Sequence, residues 1–145
     1  MIKHHSEHIY QGNWESVRDK EYLNHSIGAI ICLNENNERV HPEPGSDVNY
    51  LWCSFNDPGE TLTEQKLHAI RLFATLFNDK GILVHCYGGA NRSSAISVLL
   101  MHWIDGIPIE RACHIVKQNN AWMGVHEDLT AKIHQITGLV VRKPQ

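Results

Sequence analysis

The chain of 145 residues carries 42% hydrophobic and 20% charged residues and a net charge of −3 at pH 7 with histidine neutral. These values predict one globular domain, residues 1–145, able to bury a core without disulfides or a structural metal. Basic residues are scattered, which argues against a dedicated nucleic-acid or anionic-membrane surface, and the longest apolar run, around Val98 to Met101, is far too short to span a bilayer.

The opening MIKHHSEHIY contains no apolar stretch of the signal-peptide kind, so an intracellular, cytoplasmic protein is expected. A short helix near Glu15 to Asn24 is only weakly marked. Ala29 to Leu33 (AIICL) and Tyr50 to Phe55 (YLWCSF) are apolar runs suited to buried strands. The polar stretch Asn34 to Asn49 between them is long for a structureless connection, and such connections are more often functional or mobile than not. Thr61 and Glu64 have capping-box spacing, and Leu67, Ile70, Ala74 and Phe77 then recur at helical intervals up to Gly81.

Ile82 to Val84 reads as a buried strand leading into HCYGGANRSS and an apolar segment from Ala95 to Ile104, an order of strand, glycine loop and buried helix. Pro108, with Ala112, Ile115 and Val116 behind it, predicts a further helix. Leu129, Ile133 and Ile136 predict the last one before Gly138. Alternating strands and helices imply an α/β fold.

The loop carries the chemistry. Cys86 and Arg92 are separated by five residues, two of them glycines, between a strand and a helix N-terminus. Backbone N–H groups of a tight glycine loop and of the first helical turn converge to make a cup for a phosphate dianion. The same field favours a thiolate, and cysteines at helix N-termini have pKa values lowered from ~8.5 to roughly 3.5–7.5. Arg92 offers a planar fork that grips two phosphoryl oxygens, a geometry lysine does not reproduce. The Ser93 hydroxyl is placed to donate to the Cys86 sulfur. Tyr87, Gly88, Gly89, Ala90 and Asn91 complete the phosphate-binding loop, and His85 is expected to orient it through hydrogen bonds. The competing reading makes Cys86 a buried structural thiol, Arg92 a surface cation and the glycines a turn.

HCYGGANRS fits the His-Cys-x-x-Gly-x-x-Arg-Ser/Thr signature of the protein tyrosine phosphatases, and the chain's length resembles the dual-specificity branch. HIYQGNWESVRDKEYLNHSIGAIICL is similar to that family's opening strand, helix and strand, and HCYGG is locally similar to the cyclin-dependent-kinase-associated phosphatases. The resemblance implies a central, mostly parallel sheet of four to five strands flanked by helices, and hydrolysis of phosphotyrosine, and of phosphoserine or phosphothreonine, on protein substrates through a phosphocysteine intermediate; a monomer is the expected state. It also implies that a general acid stands on a separate loop upstream. Asp57 in SFNDPGE, 29 residues before Cys86, matches it, although Asp57-Pro58-Gly59 also reads as an ordinary turn. Asp47 and Glu60 are weaker candidates.

Cys32, 54 residues before Cys86, resembles the second cysteine that some relatives pair with the nucleophile in a reversible disulfide; a buried strand cysteine is the plainer reading. Cys53 and Cys113 are expected in the core, as are Trp52, Trp103 and Trp122, with Trp14 undecided and Trp122-Met123 placed near the site mouth as an alternative. Eleven histidines form no pair with metal-ligand context, so neither metal nor cofactor is expected. Other readings of the loop are a phosphoinositide phosphatase, against which the neutral Tyr87, Gly88 and Ala90 count, an RNA 5′-triphosphatase, suggested by GANR, and a phosphate-binding module without turnover. A rhodanese-like sulfur transferase fits poorly. Specificity is expected to reside in Asn34 to Asn49.

Overall fold

The computed structural model describes residues 2–38, 46–87, 91–122 and 126–145. Its five strands, β1 (Lys3–His4), β2 (Ile9–Gly12), β3 (Ile27–Cys32), β4 (Asn49–Trp52) and β5 (Gly81–His85), form one sheet in the order β1-β2-β5-β3-β4. Only the β1–β2 pair is antiparallel. The helices are α1 (Lys20–Ser26), α2 (Glu64–Leu76), α3 (Asn91–Asp105), α4 (Ile109–Gln118) and α5 (Glu127–Thr137).

The last strand in the chain becomes the centre of the sheet. Its residues are apolar on both faces because both faces are covered: Ile82 and Val84 join a core built with Leu67 and Ile70 of α2, Ile96 and Leu100 of α3, Val116 of α4 and Ile133 of α5. Leu83 and Ile30 point the other way, into a smaller cluster with Val17 and Leu23.

Several expectations are corrected at their edges. The weakly marked helix near Glu15 to Asn24 is two pieces, a 3-10 turn over Trp14–Arg18, capped by Asn13, and then α1. The second expected strand stops at Trp52, though Cys53 and Phe55 still donate to the carbonyls of Cys32 and Leu33. Thr63, not Thr61, caps α2, its hydroxyl accepting from the Lys66 amide. Thr61 is instead spent on the preceding loop. The stretch Asn34 to Asn49 contains a 3-10 turn over Asn36–Glu38, and residues 39–45 lie outside the described residues. Gly138 ends α5 in the left-handed conformation at φ 76°, as a C-terminal glycine should.

Candidate active site

Cys86 follows directly on β5, so it stands at the carboxyl end of the central parallel strand, between that strand and α3. Asn91, Arg92, Ser93 and Ser94 are not loop residues but the first turn of α3, and all four are buried. The register of strand and helix brings Ser93 Oγ to 3.2 Å from Cys86 Sγ. Gly88, Gly89 and Ala90, expected to cradle phosphate, lie outside the described residues.

Arg92 is buried, and its Nη1 donates to the carbonyls of Phe55 (3.0 Å) and Leu33 (3.4 Å), which stand beyond the ends of β4 and β3. Those two carbonyls fix the plane of the guanidinium, and its Nε edge faces Asp57, with Oδ1 at 3.6 Å. A fork held at one corner can offer its other edge to an anion without reorganising.

Asp57 sits in a loop that is clasped twice. The Asn56 amide donates to Thr61 Oγ1 (2.8 Å) and the Thr61 amide to Asn56 Oδ1 (3.1 Å). Gly59 completes the turn at φ +88°, packed so tightly on α5 that a Cβ there would come within 2.9 Å of the Leu129 Cα. The turn reading and the acid reading of Asp57-Pro58-Gly59 are therefore compatible: the turn is what holds the carboxylate beside Arg92. Asn91 Nδ2 donates to the Asp57 carbonyl (3.4 Å), and its Oδ1 accepts from the His126 amide at the same distance. The weaker acid candidates are placed elsewhere. Glu60 accepts from Asn56 on the exposed side of the loop, and Asp47 lies at the amino end of β4, bonded to Asn24, across the sheet from Cys86.

Burial is the largest influence on the Cys86 thiol and pushes its pKa above the usual thiol range; the Ser93 hydroxyl and amide and the Arg92 charge pull it down, and the Asp57 carboxylate pushes it up. The expectation of a depressed thiol is corrected in its net direction. Its causes are present, and the positive end of α3 adds to them, but depth of burial opposes them in the resting site. His85 is wholly buried and burial lowers its pKa to about 4, so the ring is neutral at physiological pH. Its ring nitrogens make no hydrogen bond of full geometry among the described residues. The ring's polar neighbour is the backbone of Cys86, which raises the pKa against the larger effect of burial.

Cys32 is buried beside His85, its Cα partner across β3 and β5. Cys86 is the next residue after that partner, one position beyond the end of β5, and packs with the larger core. Trp122 is a core residue, its Nε1 donating to the Cys113 carbonyl; Met123 lies outside the described residues. Cys53 and Cys113 are buried as expected.

Three participants escaped the sequence reading. His126 Nε2 lies 3.1 Å from Asp57 Oδ2 although 69 residues separate them. Trp14 stacks on the half-exposed Tyr87, with ring centroids 6.1 Å apart and planes 14° from parallel, so an aromatic pair flanks the nucleophile. Gln11 on β2 donates to Ser93 Oγ and Ser94 Oγ, both at 3.0 Å. No signal in the sequence joins residues this far apart. Among the described residues no three histidine, cysteine or acidic side chains converge in a way that would hold a metal ion.

Residues 9–137 match the family model described as dual specificity phosphatase, catalytic domain. Mouse dual specificity protein phosphatase 15 is 26% identical over 118 residues, 75% of this chain and 46% of that protein; the chain spans about half the length of the curated relative it matches. Among solved structures, the human tyrosine phosphatase-like serine/threonine/tyrosine-interacting protein superposes with a TM-score of 0.77 at 18% identity, over 94% of this chain and 95% of that one. Human DUSP28 does so with a TM-score of 0.74 at 15% identity, over 94% and 93%.

Proposed function

The chain belongs to the dual specificity phosphatase family, and from that membership we propose that it is a cysteine-dependent protein phosphatase working through a phosphocysteine intermediate, with Cys86 as nucleophile, Arg92 as phosphate grip, Asp57 as general acid and Ser93 as thiolate donor. The observation that carries this reading is one constellation: Sγ 3.2 Å from a serine hydroxyl, and a carbonyl-anchored guanidinium whose Nε edge meets the Asp57 carboxylate at 3.6 Å.

A phosphoryl group entering the loop takes the Nε edge of Arg92 and releases Asp57 from it. Asp57 in its protonated form no longer opposes ionisation of Cys86, so one proton both creates the acid and favours the thiolate. The thiolate attacks phosphorus, the S–P bond forms as the P–O bond breaks, and Asp57 delivers its proton to the departing oxygen. Water, deprotonated by Asp57, then attacks the phosphocysteine, and the sulfur leaves as a thiolate accepting the Ser93 hydroxyl bond. Arg92 holds the equatorial oxygens through both steps.

The Trp14–Tyr87 pair supports phosphotyrosine as the preferred substrate, because an aromatic wall beside the nucleophile rewards an aryl ester more than an alkyl one. Phosphoserine and phosphothreonine are then the slower substrates.

The test is hydrolysis of p-nitrophenyl phosphate and phenyl phosphate, in chelator and reductant, by wild type, Cys86→Ser and Asp57→Asn. Turnover by wild type, none by folded Cys86→Ser, and a larger loss on phenyl phosphate than on the nitrophenyl ester in Asp57→Asn is the expected pattern. Measurable turnover by Cys86→Ser removes the nucleophile assignment, and equal losses on the two esters remove the acid assignment.

A further inference from the structure

Gln11 occupies a position that should be apolar. On β2 it shares the inward face with Ile9, and it is 3% exposed, as deep as the core around it. A buried amide is costly unless its groups are bonded, and here both ends are. Oε1 lies 2.7 Å from His5 Nε2, and Nε2 donates to Ser93 Oγ and Ser94 Oγ. His5, also buried, continues the chain through Nδ1 to Asn119 Nδ2 at 2.9 Å.

The proton directions from Ser94 through Gln11 and His5 to Asn119 follow from one carbonyl. Ser94 Oγ donates to the Ala121 carbonyl at 2.7 Å, and a carbonyl only accepts. Ser94 Oγ therefore receives its other bond from Gln11, which turns the Gln11 amide nitrogen to the serines and its oxygen to His5. His5 must then carry its proton on Nε2 and accept from Asn119 on Nδ1. That is the neutral tautomer, in keeping with the burial that lowers its pKa. At the other end, Gln11 donates to Ser93 Oγ, so the Ser93 hydroxyl proton points away from Gln11, and Cys86 Sγ lies 3.2 Å away as an acceptor for it.

We propose that Gln11, held by His5 and Asn119, is a positioning residue: it orients the Ser93 hydroxyl toward Cys86 Sγ and so assists departure of the thiolate when the phosphocysteine is hydrolysed. The inference rests on the cysteine mechanism proposed above and adds to it a polar chain running from a half-buried asparagine to the nucleophile. Gln11 touches no substrate; it acts through Ser93.

The test compares wild type, Gln11→Leu, Ser93→Ala and the double variant, with Gln11→Met in reserve should the leucine variant fail to fold by circular dichroism. Loss of one orienting hydrogen bond predicts a fall in kcat of about threefold to tenfold with KM unchanged. The rapid burst of nitrophenolate that marks phosphocysteine formation should persist as the steady state slows. In the Ser93→Ala background Gln11→Leu should cost nothing more, because its route to the sulfur is gone. A second readout needs no turnover: the pH profile of Cys86 alkylation by iodoacetamide, followed by peptide mass. Arg92 and Asp57 are the charges acting on this thiol and are unchanged between variants, so the midpoint should rise in Gln11→Leu. Additive losses in the double variant, or an alkylation midpoint equal to wild type, would overturn the proposal. If wild type hydrolyses no phosphoester, the phosphatase reading fails by itself and the alkylation profile alone decides the role of Gln11.

Discussion

Replacing Gly59 by alanine tests whether the Asp57 turn is held by backbone geometry. At φ +88° a side chain costs about 1–2 kcal/mol. The added Cβ would also meet Leu129 Cδ1 at 2.7 Å and Cα at 2.9 Å, and the second is backbone of α5 that cannot swing aside. Overpacking of that kind adds about 1–3 kcal/mol. The total, about 2–5 kcal/mol, is a large share of the roughly 5–15 kcal/mol that holds a domain of this size, and it corresponds to a fall in Tm of about 10 °C. The loop can avoid part of this cost by moving off α5, but it then carries Asp57 away from Arg92. Thermal unfolding and the ratio of kcat on phenyl and nitrophenyl phosphate, measured on the same preparation, therefore capture both routes. Unchanged Tm together with an unchanged leaving-group ratio would refute the reasoning, since the strain would then have gone nowhere.

Two further outcomes follow from the same geometry. His85 titrates near 4 when folded and near 6.5 when unfolded, so the unfolded chain binds the extra proton between those values, and stability should fall by about 3 kcal/mol as pH drops from 7 to 4. The lowered pKa of His5 acts in the same direction. Urea unfolding at pH 7 and pH 4.5 measures it, and equal midpoints would mean that the ring is not buried as described. Trp14→Ala removes a stacked pair worth about 0.5–1.5 kcal/mol. KM for a phosphotyrosine peptide should rise about twofold to tenfold with kcat preserved, and an unchanged KM would show that the aromatic wall does not meet the substrate.

What the chain's own order determined was everything local. The strand before Cys86, the glycines after it, Arg92 at a fixed spacing and an apolar helix behind them lie within about twenty residues, where covalent connection itself limits the geometry, and α2 and α5 declared themselves through the spacing of Leu67 and Ile70 or of Leu129 and Ile133. Capping was legible only to within a turn: the expected Thr61 is engaged by the Asn56 amide, and Thr63, two residues on, caps α2 instead. The tertiary structure decided the rest. Only the sheet order sets β2 beside β5, and with it Gln11 against Ser93; only the docking of α5 brings His126 to Asp57. The net push on the Cys86 thiol reversed for the same reason. Its favourable neighbours Arg92 and Ser93 are close in sequence, whereas the burial that opposes them comes from how the whole core packs, a quantity with no local trace.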